Sequence, residues 1–148
     1  MNPVRGLRTW VEPTAFTRRV GGVHLALTGI VDAVTGAVLA YAALTGWLLD
    51  ATYATLEWYV NGAELLQWGQ RVAFLATDVA AVVGVVLVVV GGAQVLAGRD
   101  AFRGRRWRRS VALGAVGLSN PLALPVALVG LVCCVVAHDQ FVLYLHRA

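Results

Sequence analysis

The segment that decides the fold is Val72–Gly98, VAFLATDVAAVVGVVLVVVGGAQVLAG, which lies between Arg71 and Arg99. Its twenty-seven residues include one charged side chain, Asp78, and are mostly Val, Ala, Gly and Leu. A helix of this length extends about 40 Å, which exceeds the roughly 30 Å hydrocarbon core of a bilayer. The segment therefore predicts a membrane-spanning helix. A carboxyl group inside a membrane costs free energy, so such a residue usually has a function.

The composition places the chain among membrane proteins. Of its 148 residues, 59% are hydrophobic and 14% are charged, whereas about a quarter of the residues in a soluble domain are usually charged. We therefore expect a single membrane domain over residues 1–148 and a multi-pass protein of the cell membrane.

Several classes of enzyme are excluded by missing residue types. All twelve basic residues are Arg, so chemistry that requires a Lys, such as a Walker-type phosphate loop or a Schiff base, is absent. Ser occurs only at positions 110 and 119, so a G-x-S-x-G nucleophile motif is absent too. Cys133 and Cys134 are adjacent in an apolar run and are interpreted as small packing residues. We expect no catalytic residue, no cofactor and no enzymatic activity.

A metal site is not expected either. His138, Asp139 and Gln140 interrupt the last apolar run and are expected to mark the point where the final helix leaves the membrane. The alternative is a proton relay or metal site that includes His146. A transition-metal site needs three or four converging ligands, and this region offers one His pair and one Asp.

The distribution of arginine predicts the orientation in the membrane. Ten of the twelve arginines lie in two blocks, before the first apolar run and after the second. The blocks are Arg5, Arg8, Arg18 and Arg19, and Arg99, Arg103, Arg105, Arg106, Arg108 and Arg109. Residues 50–70, between the two runs, contain three acidic residues and no basic one. The positive-inside rule therefore places the N-terminus and the 99–109 loop in the cytoplasm and 50–70 outside.

Five arginines of this loop are predicted to contact anionic lipid headgroups. They are Arg103, Arg105, Arg106, Arg108 and Arg109. The same run resembles a nucleic-acid patch, but beside a membrane helix each arginine contributes about 1 kcal/mol of attraction to an anionic membrane surface. We therefore expect a lipid bilayer with anionic headgroups as the partner, and no nucleic acid.

The first apolar run predicts helix 1 over about residues 20–49, with a regular series of small residues. Seven of them follow one another at alternating spacings of four and three. They are Gly22, Ala26, Gly29, Ala33, Gly36, Ala40 and Ala43. In lipid, helices associate through close backbone approach, which small residues permit, and a 3.5-residue period favours a left-handed crossing. We interpret the series as a helix-packing seam.

The second apolar run predicts helix 2 over about residues 72–98. An amphipathic segment over about 54–70 precedes it and is expected to lie on the outer surface or to extend helix 2 outward. A basic inner loop over 99–109 follows and overlaps the start of the next helix.

The C-terminal third leaves two alternatives. Asn120 suits an N-cap and Pro121 suits the first helical position, which favours helix 3 over about 101–119 and helix 4 over about 121–145. The competing hypothesis is one helix over about 107–137, kinked at its prolines. We expect an all-α, polytopic transmembrane bundle of four helices packed by small-residue heptads, with three helices as the alternative.

Three short motifs follow one another between about residues 72 and 137. They are Leu96-Ala-Gly-Arg, Arg105-Arg-Trp-Arg-Arg and Asn120-Pro-Leu. In this order they resemble a pattern of small, uncharacterised four-helix integral membrane proteins of bacteria and archaea. The resemblance implies four helices with both termini inside, and it implies no activity.

Two carboxyl groups are predicted at mid-membrane depth. Asp32 lies about 18 Å from the inner interface along helix 1, and Asp78 lies about 10 Å from the outer interface along helix 2. Because the two helices run in opposite directions, both carboxyls are expected at nearly the same depth. If the seams bring them together, Asp32 and Asp78 form a candidate intramembrane pair that shares a proton or holds a cation. The alternative is two isolated residues that face different neighbours.

The sequence supports two hypotheses of function. The first is a small, non-enzymatic integral membrane protein that self-associates as a homo-oligomer or serves as the small subunit of a larger membrane complex. The second is a minimal transporter or proton or cation pathway that uses Asp32 and Asp78. The two hypotheses differ in whether these residues face a polar cavity or a protein seam.

Overall fold

A computed structural model describes residues 15–59, 63–138 and 141 of the chain. These residues form five helices and no strand. The helices are α1 (Ala15–Leu44), α2 (Trp47–Tyr59), α3 (Ala63–Phe102), α4 (Trp107–Gly117) and α5 (Leu124–Val136). The fold class is all-α, as the sequence predicts.

Two of these helices are long and apolar enough to cross a membrane. The candidate spans are Phe16–Leu44 in α1 and Gln67–Phe102 in α3, of 29 and 36 residues. By contrast, α4 and α5 contain 11 and 13 residues. They extend about 17 and 20 Å, less than the roughly 30 Å of a hydrocarbon core. The described residues therefore contain two candidate spans, and the expected bundle of four transmembrane helices is not confirmed.

The first long helix ends earlier than the predicted end near residue 49. α1 ends at Leu44, and α2 begins at Trp47. Between them Gly46 has a φ of 78°, a left-handed conformation that glycine adopts without steric cost. A single glycine therefore separates two helices that hydropathy alone joins into one.

The second long helix extends beyond the predicted range of 72–98. α3 contains 40 residues and includes part of the amphipathic segment expected over 54–70. The start of that segment belongs to α2, and residues 60–62 lie outside the described part of the chain. No proline occurs within α3, so the backbone can remain helical from Ala63 to Phe102.

The connection between α3 and α4 is short and tightly turned. Gly104 and Arg106 have φ values of 75° and 53°, both in the left-handed region. The backbone N–H of Arg105 donates to the carbonyl oxygen of Asp100 at 2.8 Å. α4 therefore begins only at Trp107, later than the start expected near residue 101.

The last helix also begins later than expected. α5 begins at Leu124, three residues after Pro121, because the intervening residues form a turn. The end expected near residue 145 lies outside the described residues. The same is true of Asp139, Gln140 and His146, which the alternative metal site requires.

The chain divides into two compact units. The first contains Met1–Asp32 and Val90–Ala148, and the second contains Ala33–Val89. The first unit therefore holds the start of α1, the end of α3, and all of α4 and α5. The second holds the rest of α1 and α3 together with α2.

Glycines bring α1 and α3 into backbone contact in the first unit. A Cβ atom added to Gly22 would lie 2.7 Å from the carbonyl oxygen of Gly98, and one added to Gly29 would lie 2.5 Å from that of Gly91. The two pairs are seven residues apart on both helices and follow each other in opposite directions. The helices are therefore antiparallel here, and the contact leaves no space for a side chain.

The two short helices of the first unit form an antiparallel hairpin. The indole N–H of Trp107, at the start of α4, donates to the carbonyl oxygen of Cys134, near the end of α5, at 2.9 Å. At the other end, a Cβ added to Gly117 would lie 3.3 Å from the Cβ of Ala127. Both ends of the hairpin are therefore fixed by direct contacts.

The second unit repeats the close glycine contact. A Cβ added to Gly36 of α1 would lie 2.5 Å from the carbonyl oxygen of Gly84 of α3. One added to Gly84 would lie 2.7 Å from the backbone nitrogen of Ala40. α2 contributes an edge-to-face ring pair, in which the centroids of Tyr53 and Phe74 are 6.4 Å apart.

Candidate functional site

The interior of the first unit contains an unusual number of polar side chains. Among the described residues, the buried polar or charged ones all belong to this unit. They are Arg18, Thr28, Asp32, Gln94, Ser110 and Asn120. Buried polar groups are costly unless they are hydrogen-bonded, so each of them needs a partner or a function.

Asp32 and Asn120 form the centre of this polar cluster. The side-chain N–H of Asn120 donates to Oδ1 of Asp32 at 2.7 Å. Asp32 is 1% exposed and Asn120 is 6% exposed. In the part of the chain that the structure describes, no cationic side chain lies within ion-pair distance of Asp32. The bond therefore links the middle of α1 to the turn between α4 and α5, and its donor is the neutral amide of Asn120.

Asn120 also organises its own turn. Its Oδ1 accepts the backbone N–H of Leu122 at 3.1 Å, and its carbonyl oxygen accepts the N–H of Ala123 at 3.0 Å. The first of these bonds is an Asx-turn, which the side chain of Asn is suited to form. One end of the carboxamide thus closes the turn while the other end binds Asp32.

Gln94 of α3 lies beside the end of α4. Its Nε2 donates to the carbonyl oxygen of Leu113 at 3.1 Å, and its side chain is fully buried. Its Oε1 has no hydrogen-bond partner among the described residues. A Cβ added to Gly117 would lie 2.5 Å from Cγ2 of Thr28 and 3.1 Å from Nε2 of Gln94, so the glycine makes room for both side chains.

The two buried hydroxyl groups bind backbone oxygens. Oγ of Ser110 donates to the carbonyl oxygen of Ala97 at 3.3 Å, which joins α4 to α3. Oγ1 of Thr28 donates to the carbonyl oxygen of His24, one turn earlier in α1, at 2.9 Å. Both bonds satisfy the hydroxyls, and the bond of Ser110 also fastens α4 to α3.

The arrangement has two chemical capabilities. It supplies hydrogen bonds to the backbone of the turn, and it presents one buried carboxyl group as a hydrogen-bond acceptor. Among the described residues, no group of three or more His, Cys, Asp or Glu side chains converges as a metal site.

Asp78 belongs to the second unit, and its side chain is exposed. Phe74 and Val82 lie one turn before it and one turn after it on α3, and both are more than half exposed. Asp32 has its own hydrogen-bond partner in the first unit. The pairing of Asp32 with Asp78 stays a prediction.

The seam residues of α1 contact α3 of the same chain in each unit. In the first unit the contacts involve Gly22, Ala26 and Gly29. In the second they involve Gly36 and Ala40. Ala43 is buried and Ala33 is half-buried. Association between chains therefore requires a surface other than this seam.

The five arginines predicted to contact lipid do not share one environment. Arg106 forms an ion pair with Asp100 at 3.7 Å. Arg103 and Arg105 line a cleft together with residues of α1. Arg108 and Arg109 lie in the first turn of α4 and are exposed and half-buried, respectively. Their contact with headgroups stays a prediction.

Asp32 is the one member of the polar cluster among the predicted site residues; Asn120 and Gln94, which bind the hairpin, are not. Asn120 is expected from sequence only as a helix cap, and Gln94 is not singled out at all. Gln94 is the one polar side chain between Val79 and Gly98, which is the same signal that distinguishes Asp78. An isolated polar residue in an apolar run thus indicates a position with a structural or functional role.

Comparisons with known proteins add no assignment. No protein family matches the chain, and no curated protein and no solved structure is detectably similar to it. The resemblance to small four-helix membrane proteins therefore rests on the sequence motifs alone.

Proposed function

We propose that the chain is an integral membrane protein that crosses the bilayer with α1 and α3. The exposed side of α3 supports this proposal, because Val79, Val82, Val85 and Val89 are each more than half exposed. Only 11% of the most apolar stretch of α3 is buried, whereas a core helix of a soluble protein is mostly buried. This helix is also remote from the N-terminus, so it does not fit a signal sequence. Lipid is the solvent that suits such a surface.

In this proposal α4 and α5 form a hairpin that enters the bilayer from one side and turns back within it. Each helix is too short to cross. Asp32, to which the turn is bonded, lies sixteen residues beyond Phe16, which corresponds to about 24 Å along α1. That depth is near the middle of a spanning helix. By the positive-inside rule, the hairpin enters from the cytoplasmic side of the membrane, which is also the side of the N-terminus.

The buried polar cluster fits a hairpin of this kind. Backbone groups of a turn inside the hydrocarbon core have no water to bond, so protein groups must satisfy them. Asn120 binds two of these groups, and Gln94 binds the carbonyl oxygen of Leu113. Asp32 in turn holds Asn120. The cluster thus has a structural purpose that requires no transported ion.

The function we infer is non-enzymatic assembly, as a homo-oligomer or as the small subunit of a larger membrane complex. The observation that carries it is the exposed carboxyl of Asp78. It lies on one face of α3 with Phe74, Val82 and Val85, all more than half exposed. A carboxyl that faces hydrocarbon is costly, whereas a donor on a neighbouring protein removes that cost. A second polypeptide over this face therefore accounts for an otherwise unfavourable residue.

The mass of the protein in mild detergent tests this function. Native mass spectrometry is expected to give a discrete oligomer or a complex with another membrane protein, and Asp78→Ala is expected to shift the population to the monomer. Asp50→Ala is the matched control, because Asp50 is also exposed but lies in the first turn of α2, four residues after Gly46. Cross-linking through Val82→Cys in native membranes guards against dissociation by detergent. A monomer in both measurements contradicts the assembly function.

A second candidate function is a minimal proton or cation pathway. It is favoured by the buried carboxyl of Asp32, which has no cationic partner in the described part, and by the unpartnered Oε1 of Gln94. Liposomes that contain the protein and a pH-sensitive dye test it. This function predicts a proton or cation flux that Asp32→Asn and Asp78→Asn each abolish. A wild-type chain that assembles but carries no flux excludes the pathway and leaves assembly.

A further inference from the structure

A basic cleft lies between the start of α1 and the end of α3 in the first unit. Its volume is about 320 Å³. The residues that line it are Arg18, Arg19, Phe102, Arg103 and Arg105. Four of these five carry a guanidinium group and none of the five is acidic, so the described lining of the cleft is basic.

The backbone on both sides of the cleft is fixed. On the side of α1, a Cβ added to Gly22 would lie 2.7 Å from the backbone nitrogen of Phe102, so the two helices touch directly beside the cleft. On the side of the loop, the backbone N–H of Gly104 donates to the carbonyl oxygen of Ala101 at 2.9 Å, and the next N–H is bonded to Asp100. The arginines are therefore presented from two backbone segments that cannot easily separate.

The cleft arginines differ from their neighbour Arg106 in their charge partners. Arg106 is paired with Asp100, whereas Arg103 and Arg105 have no carboxylate within ion-pair distance in the described part of the chain. The guanidinium carbon of Arg19 lies 5.6 Å from the ring centroid of Phe102. Like charges in one cleft repel each other, and an anion that bridges them removes this repulsion.

We propose that this cleft binds the phosphate group of an anionic phospholipid. The planar guanidinium group matches phosphate oxygens with paired donors, which makes arginine the usual residue for such sites. Phe102 is 44% exposed and offers an apolar surface beside the charges for the glycerol and acyl part of a lipid.

The position of the cleft indicates that the phosphate belongs to a membrane lipid. Phe16 and Phe102 are the ends of the two candidate spans, and the cleft residues lie within three positions of these ends. Headgroups occupy this level in a bilayer. The inference thus rests on the proposed membrane location, while the phosphate chemistry rests on the arginines themselves.

Native mass spectrometry of the full chain in detergent tests the cleft. The protein is titrated with phosphatidylglycerol, with phosphatidylcholine, and with inorganic phosphate as the competitor. Phosphatidylglycerol is expected to bind at about tenfold lower concentration than phosphatidylcholine. The double variant Arg103→Gln with Arg105→Gln is expected to lose about tenfold in that affinity. The matched control, Arg108→Gln with Arg109→Gln, removes the same charge from the first turn of α4. It is expected to change the affinity for phosphatidylglycerol less than about twofold.

Several results overturn the proposal. Equal losses in the two double variants indicate a diffuse basic surface rather than a site, and equal binding of the two lipids removes the need for an anionic headgroup. Displacement of phosphatidylglycerol by millimolar inorganic phosphate contradicts the lipid source and leaves a site for free phosphate. Circular dichroism checks the fold of each variant. If the double variant of Arg103 and Arg105 does not fold, Arg19→Gln on the exposed side of α1 replaces it.

The same spectra separate this inference from the proposed function. A monomeric chain that retains phosphatidylglycerol contradicts assembly and leaves the cleft in place. An intact oligomer without a preference for phosphatidylglycerol contradicts the cleft and leaves assembly in place.

Discussion

The side-chain amide of Asn120 donates a 2.7 Å hydrogen bond to the carboxylate of Asp32, a residue 88 positions earlier in the chain. Both side chains are buried, and the bond joins the middle of α1 to the turn of the α4–α5 hairpin. Because Asn120 also closes that turn through the backbone N–H of Leu122, one side chain determines both the shape of the turn and its position on α1.

Replacement of Asn120 by Ala is expected to destabilise the fold. The change leaves the buried carboxyl of Asp32 without its donor and opens the Asx-turn, so the free energy of unfolding is expected to fall by about 1 to 2 kcal/mol. Unfolding by sodium dodecyl sulfate in mixed micelles measures it. Ser119→Ala is the matched control, because Ser119 is adjacent and exposed and its Oγ donates locally, to the carbonyl oxygen of Val116 in α4.

A double-mutant cycle tests the contact between the two residues directly. Asp32→Ala and Asn120→Ala are expected to be non-additive by at least about 0.5 kcal/mol, because each removes the same bond. Strict additivity would show that the two side chains do not interact in the folded protein.

The glycine contacts predict that Ala substitutions have different effects on stability at a glycine that touches the other helix and at one that does not. Gly29→Ala places a Cβ 2.5 Å from the carbonyl oxygen of Gly91 and forces α1 and α3 apart, so it is expected to destabilise by about 2 to 4 kcal/mol. Gly92→Ala is the control, because nothing lies within 4 Å of a Cβ at that position. It is expected to be neutral or slightly stabilising, since Ala has the higher helix propensity. Equal effects of the two changes in the same unfolding assay contradict the described contact.

The predicted seam of α1 rests on a local signal in the sequence. Small residues at a regular spacing, from Gly22 to Ala43, identify a helix face without knowledge of the partner helix. The matching glycines Gly84, Gly91 and Gly98 repeat the same seven-residue spacing on α3. Spacing alone did not show that these two series touch in opposite directions, since that depends on the connection between the helices.

Trp107 is expected to stabilise the hairpin through its polar edge. Trp107→Phe keeps most of the aromatic surface but removes the 2.9 Å bond to the carbonyl oxygen of Cys134, so a loss of about 1 kcal/mol is expected. Trp68→Phe serves as the control because Trp68 is 68% exposed. If both substitutions change the unfolding midpoint equally, the indole bond does not contribute.

The contact between Asp32 and Asn120 cannot be predicted from a local sequence signal in the same way. Asp32 was singled out as a costly residue, but Asn120 lies in a turn and has a sufficient local explanation as a helix cap. The Asp32–Asn120 contact depends on the two short helices folding back as a hairpin. Their lengths are set by a turn at Gly104 in the basic loop and by a turn at Pro121 that interrupts an apolar run. Distant contacts of this kind follow from topology rather than from the spacing of residues.

The most direct measurement is the collision accessibility of nitroxide labels placed along α3 and in the hairpin turn. In a variant with both cysteines replaced by Ala and reconstituted in liposomes, labels at Val79, Val83, Val86 and Ser119 are compared with one at Arg105; the three valines are exposed and lie off the Asp78 face of α3. Oxygen, which concentrates in lipid, is expected to relax the first four labels more than a water-soluble nickel complex does, and the label at Arg105 is expected to show the reverse order. A label at Val79 or Val86 that the nickel complex relaxes more strongly than oxygen would contradict a membrane-spanning α3.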